Sequence, residues 1–336
     1  MLHKKQTTFR SAIYFKTVHF LFDNSLVHIS FLSVAFEGWQ LAKQSFIDQN
    51  KKKRRKQQWK YFFRCLLNPR FAAEWLGNLK SPSYSFVVAH RKLLFIRPFR
   101  KYMSTKWTKK QNKKVILDTY RFIMSQGESF KEVLTNSHGI EIANFKLNET
   151  LEGHLNLSLS EEHNREGELV LSFKCDQIDG IITSAIISFE EQEEGIWACR
   201  IGCVQGHKVD DQNASKVVQK LLHGFRPKAF IVFTVQEFSR QFRFKAVYGV
   251  SDTIHTYRGK HAIYLAWRYR IQFDYNALWH ESGGILNSDS WYELPLTPIR
   301  KSYEEIKTHK RALYRRRYSL CDDISLKIAD TVKRLS

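Results

Sequence analysis

The sequence predicts an α+β protein, an antiparallel or mixed sheet flanked by N-terminal and C-terminal helices. Three observations predict it. Residues 57–79, 108–126 and 303–335 carry apolar side chains at helical spacing. Residues 154–204 hold four β-rich runs, several in alternation (Leu155, Leu157, Leu159; Leu169, Leu171, Phe173), the pattern of half-buried antiparallel strands. Two helical stretches then separate this meander from further strands.

Taken in order, residues 11–47 place Ile13, Phe20, Leu26, Phe31, Phe36 and Trp39 among polar residues. That predicts one or two amphipathic helices, packed on a core or lying in a headgroup layer. The run Lys51-Lys52-Lys53-Arg54-Arg55-Lys56 is a block of like charge. Such a block repels itself and reads as a solvated or disordered boundary. A helix follows with Trp59, Phe62, Phe63, Leu66 and Leu67 as apolar positions. Asn68-Pro69 opens a second, because proline suits a first helical turn, and Ser81-Pro82-Ser83 ends it. A third helix spans 108–126 and stops at Gly127. The strands are 154–160, 168–175, 181–190 and 197–204, with turn dipeptides at Asp179-Gly180 and Glu194-Gly195. A helix over 213–223 takes Asn213 or Asp211 as N-cap and Gly224 as C-cap. Pro227 opens another, to about Phe242. Strands at 245–250 and 264–275 and a basic helix over 303–335 complete the order. Four segments result: a variable extension (1–55), a basic helical segment (56–135), an α+β core (136–300) and a basic C-terminal helix (301–336).

Charge divides the chain the same way. The net +21 is +20 in residues 1–120, −5 in 121–299 and +6 in 300–336. The ends therefore suit anionic partners, and any catalysis belongs to the near-neutral middle. Five scattered cysteines exclude a disulfide framework and fit a reducing compartment. The longest uncharged stretch near the N-terminus, residues 24–36, is shorter than the ~18–20 residues that span a bilayer. No export signal is read there, because Lys16 and Asp23 interrupt the apolar region. The expected location is cytoplasmic, peripheral on the inner membrane.

Several constellations carry chemistry. Gly202 to His207 joins a strand to a helix, a junction whose free N–H groups can hold an anion. Cys199, Cys203 and His207 lie four apart, about 13 Å per step along a strand, too far for one zinc; no metal site is expected. The His207-x3-Asp211 spacing matches a general base of acyl-transfer enzymes but is common by chance, and Ser251 lacks the second glycine of a nucleophile elbow. Ser251-Asp252-x2-His255-x-Tyr257-Arg258 follows a strand end, where loops often carry chemistry. Asp274-Tyr275-x3-Trp279-His280-Glu281 adds two carboxylates. The anionic-surface set is Lys51, Lys52, Lys53, Arg54, Arg55, Arg97, Arg100, Lys101, Arg315, Arg316 and Arg317, interleaved with aromatic residues.

The ordered set of Leu66-Leu67-Asn68-Pro69-Arg70-Phe71, Tyr120-Arg121-Phe122-Ile123, Gly167-Glu168-Leu169, Ile201-Gly202-Cys203-Val204-Gln205-Gly206 and Leu222-His223-Gly224-Phe225-Arg226-Pro227-Lys228 resembles the VirK/YbjX family of bacterial proteins. So do Gly249-Val250-Ser251 with His255 and Tyr257, Asp274-Tyr275 with Trp279 and Gly283-Gly284, and Lys310-Arg311-Ala312-x-Tyr314-Arg315-Arg316-Arg317-Tyr318. The resemblance covers residues 57–330. It implies association with virulence, surface-protein display, envelope or lipopolysaccharide-related phenotypes and resistance to antimicrobial peptides. It carries over no catalytic residue.

Three functional readings follow. The first is a membrane-peripheral accessory protein of the bacterial envelope, with an anionic membrane surface or lipopolysaccharide-pathway components as partner. The second is an acyl-CoA-dependent enzyme of the N-acetyltransferase type, suggested by the order meander, helix, strand. There Gln205, Gly206, His207, Arg226 and Lys228 would bind the cofactor, and His255, Asp274 or Glu281 would act as base. The third is nucleic-acid binding through the basic segments.

Overall fold

Residues 31–80 fold as three helices because apolar residues recur every three or four positions. α1 (Phe31–Ser45) buries Val34, Ala35, Gly38 and Ala42; α2 (Lys51–Leu66) buries Tyr61 and Cys65; α3 (Pro69–Lys80) buries Ala72, Trp75, Leu76 and Leu79. The three pack on one another. The computed structural model describes residues 18–22, 25–29, 31–206, 212–257 and 274–336. It divides into two compact units, Met1–Ser81 and Pro82–Ser336.

Two expectations for the smaller unit change. Of the one or two helices expected over residues 11–47, α1 is one, and β1 (Val18–Phe22) and β2 (Ser25–Ile29) form an antiparallel hairpin before it. The basic run is not a disordered break but the first turns of α2. Lysine and arginine are good helix formers when solvated, and Asn50 caps the start, its side-chain oxygen accepting from Lys53 N–H at 2.9 Å.

The larger unit is α+β; among the described residues a mostly antiparallel eight-stranded sheet is flanked by helices. It opens with α4 (Pro82–His90), a 3₁₀ turn (Leu94–Phe99), α5 (Lys109–Ser125) and the short α6 (Glu128–Lys131). Thr108 and Gln111 close a capping box at the start of α5. Strands β3 (Ile140–Lys146), β4 (Glu152–Leu159), β5 (Leu169–Cys175), β6 (Ile178–Glu193) and β7 (Ile196–Gly206) run as an antiparallel meander. Helices α7 (Gln212–Leu221) and α8 (Pro227–Gln241) cross to β8 (Ala246–Val250), which lies parallel to β7. Then come α9 (Tyr275–Glu281), β9 (Ile285–Leu286), β10 (Trp291–Leu294) and α10 (Arg311–Leu335). The sheet order is β3-β4-β5-β6-β7-β8-β10-β9. An aromatic core joins α5, β6 and the α8–β8 connection: Phe122, Phe189 and Phe244 meet at 5.0–5.1 Å between ring centres.

Here too some boundaries differ. β3 and β10 have no strand assignment in the sequence reading, because short mixed runs lack clean alternation. The β5–β6 turn falls at Asp176-Gln177, with Gln177 at φ 61°, and Asp179-Gly180 lies inside β6. α10 begins at Arg311, not near 303, behind a 3₁₀ turn over Thr308–Lys310. The expected strand over 264–275 lies outside the described residues up to 273. Tyr275 opens a helix instead, since Asp274 caps it by accepting from Ala277 N–H at 2.9 Å.

Candidate functional site

A glycine inside a strand often marks a bulge or a close backbone approach. Gly202 does both. β7 slips register between Ile201 and Cys203 against β6. A Cβ on Gly202 would lie 1.9 Å from the backbone oxygen of Glu166. The β4–β5 loop therefore rests on the bulge, and it brings the Glu166 side chain to Cys203 and His255.

That loop is pinned by an ionic clamp. Glu168, fully buried, takes Arg97 Nη1 on one carboxylate oxygen at 2.8 Å and the Tyr120 hydroxyl on the other. Arg91 donates from Nε to Tyr120 at 2.9 Å. Arg91 and Arg97 both donate to the Ser160 carbonyl, at 3.3 and 3.1 Å. Buried charges persist only when paired and hydrogen-bonded, and this clamp satisfies both conditions.

Within the resulting pocket of side chains, Glu166, Cys203 and His255 are each 1–2 % exposed, their polar atoms within 4.8 Å of one another. Glu166 Oε2 meets His163 Nδ1 at 3.1 Å. Glu166 Oε1 lies 3.3 Å from His255 Nε2, an ion-pair distance without hydrogen-bond alignment. His255 Nδ1 accepts from Tyr257 N–H at 3.3 Å, so the ring proton belongs on Nε2, facing the carboxylate. The His255 ring stacks on Tyr275 at 5.2 Å. Tyr275 Oη lies 3.2 Å from Cys203 Sγ, and it bridges to the backbone of Val204. Gln205 Nε2 donates to Cys203 Sγ at 3.3 Å.

Burial acts to raise the Glu166 carboxyl, but His163 and then His255 outweigh it and hold the group below its ordinary value. Burial, then Glu166, pushes the Cys203 thiol well up. Burial and Cys203 do the same to Tyr275. The thiol is thus a neutral donor to an ionised acid, not a nucleophile at neutral pH.

Of the predicted catalytic residues, only His255 enters this cluster. Asp274 is the exposed cap of α9, and Glu281 pairs with Arg226 across the starts and ends of α8 and α9. The predicted cofactor residues divide similarly. Gln205 joins the cluster, Gly206 ends β7 beside Lys228, and Arg226 is taken by Glu281. His207 and Arg258 lie outside the described residues. Glu166 escaped sequence reasoning; Gly202 in mid-strand was the available signal.

The cationic set also separates. Arg97 is buried in the clamp, and Arg317 donates twice to the His223 carbonyl, at 3.1 and 3.0 Å. Arg97 presents no charge to solvent, while Arg317 is half-buried. Arg54 is half-buried and donates to the Ile47 carbonyl; Arg100 is half-buried too. Lys51, Lys52, Lys53, Arg55, Lys101, Arg315 and Arg316 are exposed. On α2 they lie beside Trp59 and Phe63, each 51 % exposed, and Leu67, 78 % exposed. No helix among the described residues is long and apolar enough to cross a membrane.

Comparison with known proteins agrees with the motif reading. A family model described as a protein of unknown function (DUF535) matches residues 50–330. The Escherichia coli (strain K12) "Uncharacterized protein YbjX" is 28 % identical over 283 residues, 80 % of this chain and 82 % of the relative. An "Uncharacterized protein" of Haemophilus influenzae is 33 % identical over 129 residues, 38 % of this chain and 42 % of the relative. No solved structure matches. With most of its length matched, the chain belongs to the DUF535 family, the VirK/YbjX family that its motifs resemble.

Proposed function

We propose that this protein is a peripheral accessory protein of the bacterial envelope that docks on an anionic membrane face through α2. One observation carries the reading. α2 holds eight basic residues and no acidic one, six of them at the positive end of the helix dipole. Like charges so placed destabilise an isolated helix; an anionic surface removes the penalty. Lys52, Lys56 and Lys60 share one exposed face with Trp59, Phe63 and Leu67 at four- and three-residue steps. Cations with tryptophan on one helix face suit the headgroup layer. At about 1 kcal/mol for each basic residue near an anionic surface, the exposed lysines and Arg55 supply on the order of 5 kcal/mol.

Co-sedimentation with vesicles tests this. The full chain should pellet with phosphatidylglycerol vesicles at low salt and not with phosphatidylcholine. Charge reversal at Lys52, Lys56 and Lys60, or Trp59→Ser with Phe63→Ser, should release it. Equal binding by those variants would sink the reading, as would tighter, salt-steep binding to DNA than to vesicles.

A second reading is favoured by the parallel β7–β8 pair in an otherwise antiparallel sheet, followed by the order β8-β10-β9. This is the arrangement on which an N-acetyltransferase-type acyl-CoA site would rest. Against it, Tyr275 already bonds the Val204 backbone at the end of β7, and Asp274 and Glu281 lie elsewhere. Calorimetric titration with acetyl-CoA decides: no heat at millimolar ligand removes this reading.

A further inference from the structure

Residues 300–310 run beside α10 and are tied to it at several points. Lys301 N–H donates to Tyr318 Oη at 2.9 Å. Arg300 forms a two-pronged salt bridge with Asp322, and its guanidinium lies 5.1 Å from the centre of the Tyr318 ring. Ile306 is buried, and its carbonyl accepts from Arg311 Nε at 3.2 Å. Between this strap and the helix lies an open hollow of about 740 Å³. That is within the size range of small-molecule sites.

The walls of the hollow are cationic and aromatic. Lys301, Arg311 and Arg315 line it, with Tyr303 and Tyr314. Its acid, Asp322, is already neutralised by Arg300. The Arg311 guanidinium rests 3.8 Å from the centre of the Tyr303 ring. With Nε committed to Ile306 and one face on the tyrosine, Arg311 is held in a fixed orientation. Its two terminal amino groups have no hydrogen-bond partner among the described residues. Arg315 stands one helical turn further on and is exposed.

We propose that this hollow binds a phosphate monoester, gripped by Arg311, Arg315 and Lys301, with its organic body against Tyr303 and Tyr314. Three cations around one hollow repel each other, and a dianion relieves that better than a singly charged carboxylate. A guanidinium held flat offers two parallel N–H groups, the geometry that phosphate oxygens accept. The volume exceeds what a bare phosphate fills, which leaves room for the esterified group. The ester is either soluble or the headgroup of a phosphomonoester lipid. This site is independent of docking through α2.

Isothermal titration of the full chain with inorganic pyrophosphate tests the grip. Saturable one-to-one binding is expected, weakened about tenfold by Arg311→Ala and by Arg315→Ala. Arg311→Lys should bind with intermediate affinity, since it keeps the charge and loses the fork. Unchanged circular dichroism melts would show that these variants fold. Charge reversal at Lys52, Lys56 and Lys60 should leave pyrophosphate binding intact, which separates this site from α2. Vesicles of phosphatidic acid or phosphatidylglycerol at equal surface charge then distinguish the sources. Preference for phosphatidic acid that Arg311→Ala abolishes indicates a headgroup; pyrophosphate binding without that preference indicates a soluble ester. No saturable pyrophosphate binding, or binding undiminished in both alanine variants, overturns the proposal.

Discussion

Replacing Glu168 by glutamine should be among the most damaging single changes in the larger unit. The carboxylate is fully buried, and the two arginine side chains it faces are 2 % exposed. Arg97 Nη1 is 2.8 Å away, and Arg91 Nη2 is 3.9 Å away. Glutamine keeps the shape but removes the charge, and it turns an –NH₂ group toward groups that are themselves donors. Two buried cations then share only carbonyl oxygens, the neutral Tyr120 hydroxyl and the largely exposed Glu161. Breaking a buried pair in this way costs about 3–5 kcal/mol. In a unit of this size each kcal/mol moves Tm by roughly 2–4 °C, so a fall of about 6–20 °C is expected by scanning calorimetry. Arg97→Met combined with Glu168→Gln should recover part of the loss, because one stranded cation is gone. A fall of less than about 2 °C for Glu168→Gln, under ~1 kcal/mol, would refute the argument that the clamp needs this charge.

Other tests address the cluster and the sheet. Gly202→Ala places a Cβ 1.9 Å from the Glu166 carbonyl and should cost about 1–3 kcal/mol in urea unfolding. Gly77→Ala, in a helix with nothing within 4 Å, should gain about 0.5–1 kcal/mol; equal effects would contradict the close-approach argument. Glu166 is held below the ordinary carboxylate value of 4.5, so its stabilisation is complete above 4.5 and is lost as pH falls through the lower folded value. Acid unfolding of Glu166→Gln should lack that part of the pH dependence, and an unchanged acid limb would count against it. His154 lies 3.0 Å from Glu141 and 3.3 Å from Asp176. Burial acts to lower it, but the two acids outweigh burial and raise it above 6.5. Its contribution is therefore full below 6.5 and is lost as pH rises through the raised value. An NMR titration midpoint for His154 at or below 6.5 would refute this.

How much of this was legible depends on distance along the chain. Local signals read well: Pro69 and Pro227 open helices, Gly224 follows one with φ 76°, and the alternation of Leu155 to Leu159 marks β4. The basic run misled, because a like-charge block resembles a solvated break until Asn50 and the buried Tyr61 and Cys65 are seen to support a helix. The cluster was legible only at His255 and Gln205. Glu166 and Cys203 reach it from residues 37 positions apart, through a bulge that one glycine permits. Arg97 looked like a surface cation because its acid, Glu168, lies 71 residues further on. No periodicity in one sequence encodes such a pair.

The last helix has a consequence for how the chain comes to be folded. α10 packs on β3, the first strand of the sheet, and Leu335 accepts a hydrogen bond from Gly127 N–H at 2.9 Å. β3 is also an edge of that sheet among the described residues, with β4 as its one strand neighbour there. Contacts spanning some two hundred residues are slow to form. During synthesis β3 exists well before the helix that packs on it, a period in which exposed strand edges invite association between chains. A chain stopped short of α10 should collect in aggregates, while the same chain supplied with that helix should stay dispersed.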